Sequence, residues 1–174
     1  YQKARFMVRK LWKDITRGRS AYSLAEDIAS PQLGEYYFLM TEPMLRAGHS
    51  QAFHFDVEGI PMIPAYIDVE DQGLIYYPIS IGQYGMAIWH TYLQTGAERD
   101  RQRFLTLVDW FYDHRVEDEA FGAYWLTDVD KPAYGIERPW KSAFAQARAM
   151  NLLLRAWQLT GEREYERVAE LALL

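Results

Sequence analysis

Apolar residues recur at three- and four-residue steps near the start of the chain. Val8, Leu11, Trp12 and Ile15 mark one face of a helix running from about Gln2 to Thr16. The lysines and arginines of that stretch fall mostly on other positions, and Gly18 offers a C-terminal stop. From Arg19 to Ser50 the pattern is broken by Ser30-Pro31 and Glu42-Pro43, and the aromatic run Gly34–Met40 reads as a strand. Between Gln51 and Tyr77 the period drops to two. Phe53, Phe55 and Val57 alternate with His54 and Asp56, Gly59-Ile60-Pro61 turns the chain, and Ala65–Val69 resumes the alternation. The pattern predicts a β-hairpin region over 51–77, with Pro61 and Pro64 keeping it at an edge.

Helical spacing returns after Tyr77-Pro78-Ile79-Ser80. Ile81, Tyr84, Gly85, Ile88 and Tyr92 share one face of a helix that stops at Thr95-Gly96, and Phe104, Leu107, Val108 and Phe111 mark the next. Val116–Pro139 is a long excursion with an extended stretch at Ala123–Leu126. Pro139 holds the chain extended before Ser142, the natural N-cap of a helix whose buried face is Ala145, Ala149, Leu152, Leu153 and Ala156. That helix ends at Thr160-Gly161, and a fifth begins near Glu162.

The two Thr-Gly stops belong to a repeat. Tyr92–Arg99 resembles Trp157–Glu164 at an offset of 65 residues, and each copy is a helix, a Thr-Gly turn and an outgoing amphipathic helix. Such αα-hairpins bury their apolar stripes against one another, and with a long inner loop they suggest an α/α toroid. Five helix signals do not close such a ring. The expected class is therefore mainly α: toroid-type hairpins over 78–174, the β-hairpin region over 51–77, and an N-terminal helix with irregular chain over 1–50. The chain starts at Tyr1 inside a helix and stops in the apolar run Val168–Leu174, so this single domain is expected to be a fragment. An incomplete ring exposes apolar flanks, which points to self-association as a homo-oligomer.

Composition narrows the function classes. The net charge of −5 over 174 residues argues against a nucleic-acid surface while leaving room for a local cationic pocket. No apolar run approaches the roughly 20 residues of a membrane span. With no cysteine there is neither a disulfide framework nor a thiolate metal site, and the compartment stays open. Thirteen Tyr, six Trp and eight Phe make the chain 16% aromatic, which suits core packing and also the recognition of sugar rings. The four histidines sit at no metal-ligand spacing, and Asp128-Val129-Asp130 lacks the rest of a calcium loop. Phosphate-loop and nucleophile-elbow motifs are absent.

Glu137–Arg148 carries the densest candidate chemistry. Trp140, Lys141, Gln146 and Arg148 lie around a helix start, whose partial positive charge favours anions. They form either a well-capped core helix with solvated charges or one wall of a site for an anionic ring. Arg138, Lys141 and Arg148 are the candidate carboxylate partners, Trp140 and Tyr77 the candidate stacking rings or loop anchors, and Glu137 the local carboxylate for acid/base work. Gln83 and Gln146 occupy equivalent motif positions, each early in a helix that follows an aromatic loop, where each serves either sugar hydroxyls or loop backbone.

The segment Tyr77-Pro78-Ile79-Ser80-Ile81-Gly82-Gln83-Tyr84-Gly85 resembles the Tyr-Pro-Ile-Gln-Ile-Ala-Gln-Tyr-Gly motif of D-glucuronyl C5-epimerases. Trp140–Ala149 resembles that family's Trp-x-Ser-Ala-Met-Ala-Gln-Gly-Gln-Ala, and Gly59-Ile60-Pro61-Met62 its preceding strand-turn. The likeness runs from about Phe53 to Leu174. Ser80 departs from the family's Gln, Gly82 from its Ala, and Ala147-Arg148 from its Gly-Gln. The resemblance implies cofactor-free inversion of glucuronate to iduronate within an anionic polysaccharide. The proton α to the carboxylate leaves, and one returns on the opposite face, while cations stabilise the enediolate-like intermediate. It implies substrate contacts from Tyr77, Gln83 and Tyr84 in the first motif and from Trp140, Lys141, Gln146 and Arg148 in the second. The family's acid/base tyrosines and glutamate lie further along its domain, so the catalytic residues of this chain stay unassigned. A non-catalytic carbohydrate-binding remnant, a helical-repeat interaction protein and an α/α-toroid lyase or hydrolase stand as alternatives.

Overall fold

The computed structural model describes residues 2–17, 23–24, 30, 32–48, 54–64 and 73–173. In chain order these form α1 (Gln2–Arg17), β1 (Ser23–Leu24), β2 (Phe38–Leu39), α2 (Glu42–Gly48), β3 (His54–Phe55), β4 (Pro61–Pro64) and β5 (Leu74–Ile75). Then follow α3 (Pro78–Thr95), α4 (Glu98–Asp113), β6 (Val116–Asp118), β7 (Gly122–Tyr124), β8 (Leu126–Thr127), β9 (Trp140–Lys141), α5 (Ala143–Thr160) and α6 (Arg163–Leu171). The fold is mainly α, with small antiparallel sheets between the helices.

The repeat is a structural one. Both α3 and α5 run for 18 residues, and their N-caps, Tyr77 and Ser142, stand at the same 65-residue offset as their stops. Ser142 Oγ accepts from the Ala145 amide at 3.3 Å, meeting one of the first-turn donors that a helix leaves open. Gly96 and Gly161 close the helices with φ of 63° and 78°, a region open to glycine at little cost, and donate back to Tyr92 O and Trp157 O at 2.8 and 2.7 Å. Thr95 and Thr160 then accept from Ala97 N and Glu162 N at 3.2 and 3.1 Å, so each turn is locked by the same hydroxyl.

Helix α3 is the centre of the molecule. It packs on α4, α5, α2 and β4, and Ile81, Ala87 and Ile88 are fully buried. Gly82 and Gly85 bring α5 close: a Cβ at either would stand 2.4 Å from Arg148 Cβ or 2.3 Å from Leu152 Cδ2. The contacts advance together along both chains, 82 with 148 and 85 with 152, so α3 and α5 run parallel. The rest of the core comes from Phe104, Leu107, Val108 and Phe111 of α4, Leu152 and Leu153 of α5, and Trp125, whose indole donates to Phe111 O at 2.7 Å.

Three expectations are revised. Strand β4 is the middle strand of the order β3-β4-β5 rather than an edge strand, although each proline is paired on one side only. The strand tolerates them because Pro61 pairs with Phe55 at one end and Pro64 with Leu74 at the other, and each neighbour covers only half of β4. Glu42-Pro43 starts α2 rather than breaking the chain, since proline is accepted in a first helical turn. The aromatic run 34–40 is mostly irregular and contributes only Phe38 and Leu39 to a strand pair. The excursion 116–139 holds a β6-β7 hairpin and half of the β8-β9 pair, with a 3-10 turn over Pro132–Tyr134. Phe53 and Ala65–Val69 of the predicted alternation lie outside the described residues.

Candidate functional site

Residues 32–42 lie along the α3–α5 pair, and polar groups of both helices hold them there. Leu33 N donates to Gln158 Oε1 at 2.9 Å, and Trp89 Nε1 and Arg155 Nε both donate to Gly34 O, at 3.0 and 3.3 Å. The His90 ring, 1% exposed, accepts from Tyr36 N through Nε2 at 3.0 Å. Its Nδ1 lies 3.1 Å from Met40 N and 3.2 Å from Met40 O, so the ring meets the strap backbone at both Tyr36 and Met40. Burial pushes His90 down to about 4, and the Arg155 and Arg148 charges act in the same direction. Thr91 Oγ1 completes the clamp by accepting from Glu42 N at 2.9 Å. His90 and Arg155 are themselves 65 residues apart, and so hold the strap from equivalent positions of the repeat.

Between this strap, the middle of α3 and the start of α5 is a cavity of about 260 Å³. Tyr36, Phe38 and Met40 line it from the strap, Gln83, Met86, Ala87 and His90 from α3, and Phe144 and Arg148 from α5. The Arg148 guanidinium lies 5.1 Å from the centre of the Tyr36 ring and 4.9 Å from that of Phe144. On α5 Arg155, 2% exposed, lies 5.8 Å from the same Tyr36 ring, with burial lowering it to about 10, so it stays protonated near neutrality. Among the described residues no carboxylate lines the cavity, and Arg155 meets none. Two cations beside an aromatic, amide-bearing recess suit an anionic ring.

The helices' common register alters one equivalence. Gln83 stands at the same place in α3 as Arg148 does in α5, so Arg148, rather than Gln146, is its partner in the repeat. Both line the cavity. Gln146 is turned elsewhere: its amide donates to Ala123 O at 2.6 Å and Ala172 O at 3.0 Å, tying β7 and the end of α6 to α5.

The other candidates are dispersed around this centre. Tyr77 is buried at 4% exposure as the N-cap of α3, with its carbonyl accepting from Ser80 and Ile81, which makes it an anchor rather than an open stacking ring. The Tyr84 hydroxyl donates to Glu42 Oε1 at 2.8 Å and accepts from Arg103. Burial and that carboxylate push Tyr84 up to about 12, while Arg103, with Arg46, brings Glu42 down to about 2. Trp140 is half-buried, donating to Val129 O at 2.7 Å with Lys131 Nζ 4.9 Å from a ring centre. Lys141 Nζ rests 3.6 and 4.0 Å from the Tyr124 and Phe121 ring centres. Arg138 and Glu137 are exposed, and the Arg138 amide donates to Asp130 Oδ1 at 2.9 Å. None of Arg138, Trp140 and Lys141 lines the cavity. Sequence reasoning missed Tyr36, Phe38, Met40, His90 and Phe144. The signal for Tyr36, Phe38 and Met40 is the aromatic run after Gly34, which carries recognition chemistry as well as strand propensity.

Residues 118–174 match the family described as D-glucuronyl C5-epimerase C-terminus. The match supports the resemblance to that family. It contains the second epimerase motif, Trp140–Ala149, and with it Phe144 and Arg148 of the cavity, while the first motif, Tyr77–Gly85, precedes it. The epimerase likeness and the cavity therefore meet on the first half of α5. No curated protein and no solved structure matches the chain.

Proposed function

We propose that the cavity between the strap and the α3–α5 pair holds a uronate ring of an anionic polysaccharide, and that the chain contributes this subsite to a C5-epimerase-type catalytic domain. The observation that carries the reading is the pairing of Gln83 with Arg148: equivalent positions of two parallel helices, within resembling motif segments, lining one recess beside Tyr36 and Phe144. Arg148 supplies the charge for the carboxylate, and Gln83 supplies an amide for a ring hydroxyl. The aromatic walls take the apolar face of the sugar. In an epimerase the same guanidinium would stabilise the enediolate-like charge that develops when the C5 proton leaves. On this reading the hairpins α3–α4 and α5–α6 are successive units of an α/α toroid, with their inner helices starting at a common cleft.

The test is exposure of the protein to a heparosan-type polysaccharide in deuterated water. Deuterium appearing at C5 of glucuronate, without unsaturated ends, is the expected result. Ultraviolet-absorbing ends would instead identify a lyase. Arg148→Gln should weaken binding of uronate oligosaccharides by about 10- to 100-fold, the scale of a charge-assisted hydrogen bond. Wild-type and Arg148→Gln affinities that agree within error would sink the assignment of the recess. A second reading, carbohydrate binding without turnover, is favoured by the lack of a carboxylate among the described residues lining the cavity. It predicts salt-dependent binding with no deuterium incorporation.

A further inference from the structure

Helix α1 makes no contribution to the hydrophobic core among the described residues, yet it is strongly two-sided. Met7, Val8, Leu11, Trp12 and Ile15 are 61–70% exposed. At 100° per residue these five positions and Ala4 fall within an arc of about 140°. The positions of Lys3, Arg5, Arg9, Lys10, Lys13 and Arg17 fill the complementary arc, with Phe6 the one apolar exception. Six cations against Asp14 give the helix a net charge of +5, in a chain whose total is −5. The remaining residues therefore carry −10, and the positive charge is concentrated on the one helix whose apolar face is open.

We propose that α1 is an interfacial helix that lays its Met7–Leu11–Trp12–Ile15 face into an anionic lipid surface. Two properties favour lipid over other polyanions. The exposed apolar stripe has nothing to bury against on a hydrated polysaccharide, whereas an acyl boundary accepts it. A tryptophan beside the basic arc is also placed as interfacial helices place it, with the ring at headgroup depth. The acidic remainder of the chain is repelled by the same surface, so attachment falls to α1 alone. No helix among the described residues is long and apolar enough to cross a membrane, and the helix lies on the surface rather than spanning it. Such attachment would hold the uronate cleft beside a membrane surface.

The experiment is flotation of the full chain with vesicles of phosphatidylcholine alone or of phosphatidylcholine mixed with phosphatidylglycerol. Partitioning should be at least about tenfold stronger on the anionic vesicles and fall as salt is raised. Leu11→Asp with Trp12→Asp should abolish it, and so should Arg5→Glu with Arg9→Glu, which keeps the apolar face. Because all four side chains are exposed, both double variants should retain the wild-type circular-dichroism melt. Equal partitioning on neutral and anionic vesicles, or none on either, would overturn the proposal. So would capture by a heparosan-type polyanion without vesicle binding, or a concentration-dependent oligomer that the Leu11→Asp/Trp12→Asp variant dissolves.

Discussion

Gly82 and Arg148 are two departures from the epimerase motifs, and the structure places them against each other. A Cβ on residue 82 would come within 2.4 Å of Arg148 Cβ, an atom fixed to the α5 backbone that cannot rotate away. Gly82→Ala should therefore cost about 1–3 kcal/mol of stability by forcing the helices apart. In an Arg148→Gly background the same change should cost little further; a double-mutant cycle in urea measures the coupling. Retaining Arg at 148 puts a cation where the family's motif has a neutral amide, which is the sequence difference most directly tied to the charge of the recess. His90 makes the second prediction at this scale. Its pKa falls from 6.5 to about 4 on folding, so between those values the unfolded chain binds the proton and the folded chain does not. Its contribution is complete above pH 6.5 and is lost as pH falls towards 4, with a ceiling of about 3 kcal/mol. Urea midpoints measured from pH 7 down to pH 4.5 should show this slope, and His90→Gln should flatten it. Residue chemistry was readable only in part from the sequence. Arg148 was singled out by its place at a helix start, but His90 looked like one scattered histidine among four until the strap folded onto it.

At the level of elements the hairpins were the most legible feature. Period, cap and stop coincide in each repeat helix, and local backbone energetics enforce all three. Ser142→Ala should cost about 1 kcal/mol through loss of the N-cap. Gly96→Ala and Gly161→Ala should each cost about 1 kcal/mol or more, because both glycines hold positive φ. Equilibrium urea denaturation of the single variants tests these values, and near-equal effects of the two glycines would show the repeat to be energetic as well as geometric. Helix α2 was not legible, because a proline preceded by Glu reads equally as a break or as a first turn. The choice was made by Glu42, whose carboxylate accepts from Arg46, Tyr84 and Arg103 at 2.7–2.9 Å, contacts that span up to 61 residues of sequence. Strand β4 shows the same limit: its prolines were placed at an edge on local grounds, and pairing partners on both sides made it central.

For the whole molecule, the strap is what closes a cavity against the pair of hairpins. Glu42→Gln should release α2 from Arg103 and raise amide hydrogen exchange across 42–48 while leaving α3–α6 protected. Loss of protection spreading equally through the hairpins would show instead that strap and hairpins unfold as one unit. The sequence by itself determined the helical hairpins, their 65-residue repeat, the family resemblance and the two-sided character of α1, because each depends on residues within a few turns of one another. Tertiary structure alone decided that Gln83 and Arg148 line one recess while Gln146 turns to Ala123 and Ala172, that the tyrosines of the first motif are buried, and that the aromatic run after Gly34 forms the third wall of the cavity. These depend on which buried polar groups find partners across 50 residues and more. That matching is settled by the need to satisfy every desolvated donor and acceptor once the chain is compact, and no local pattern encodes it.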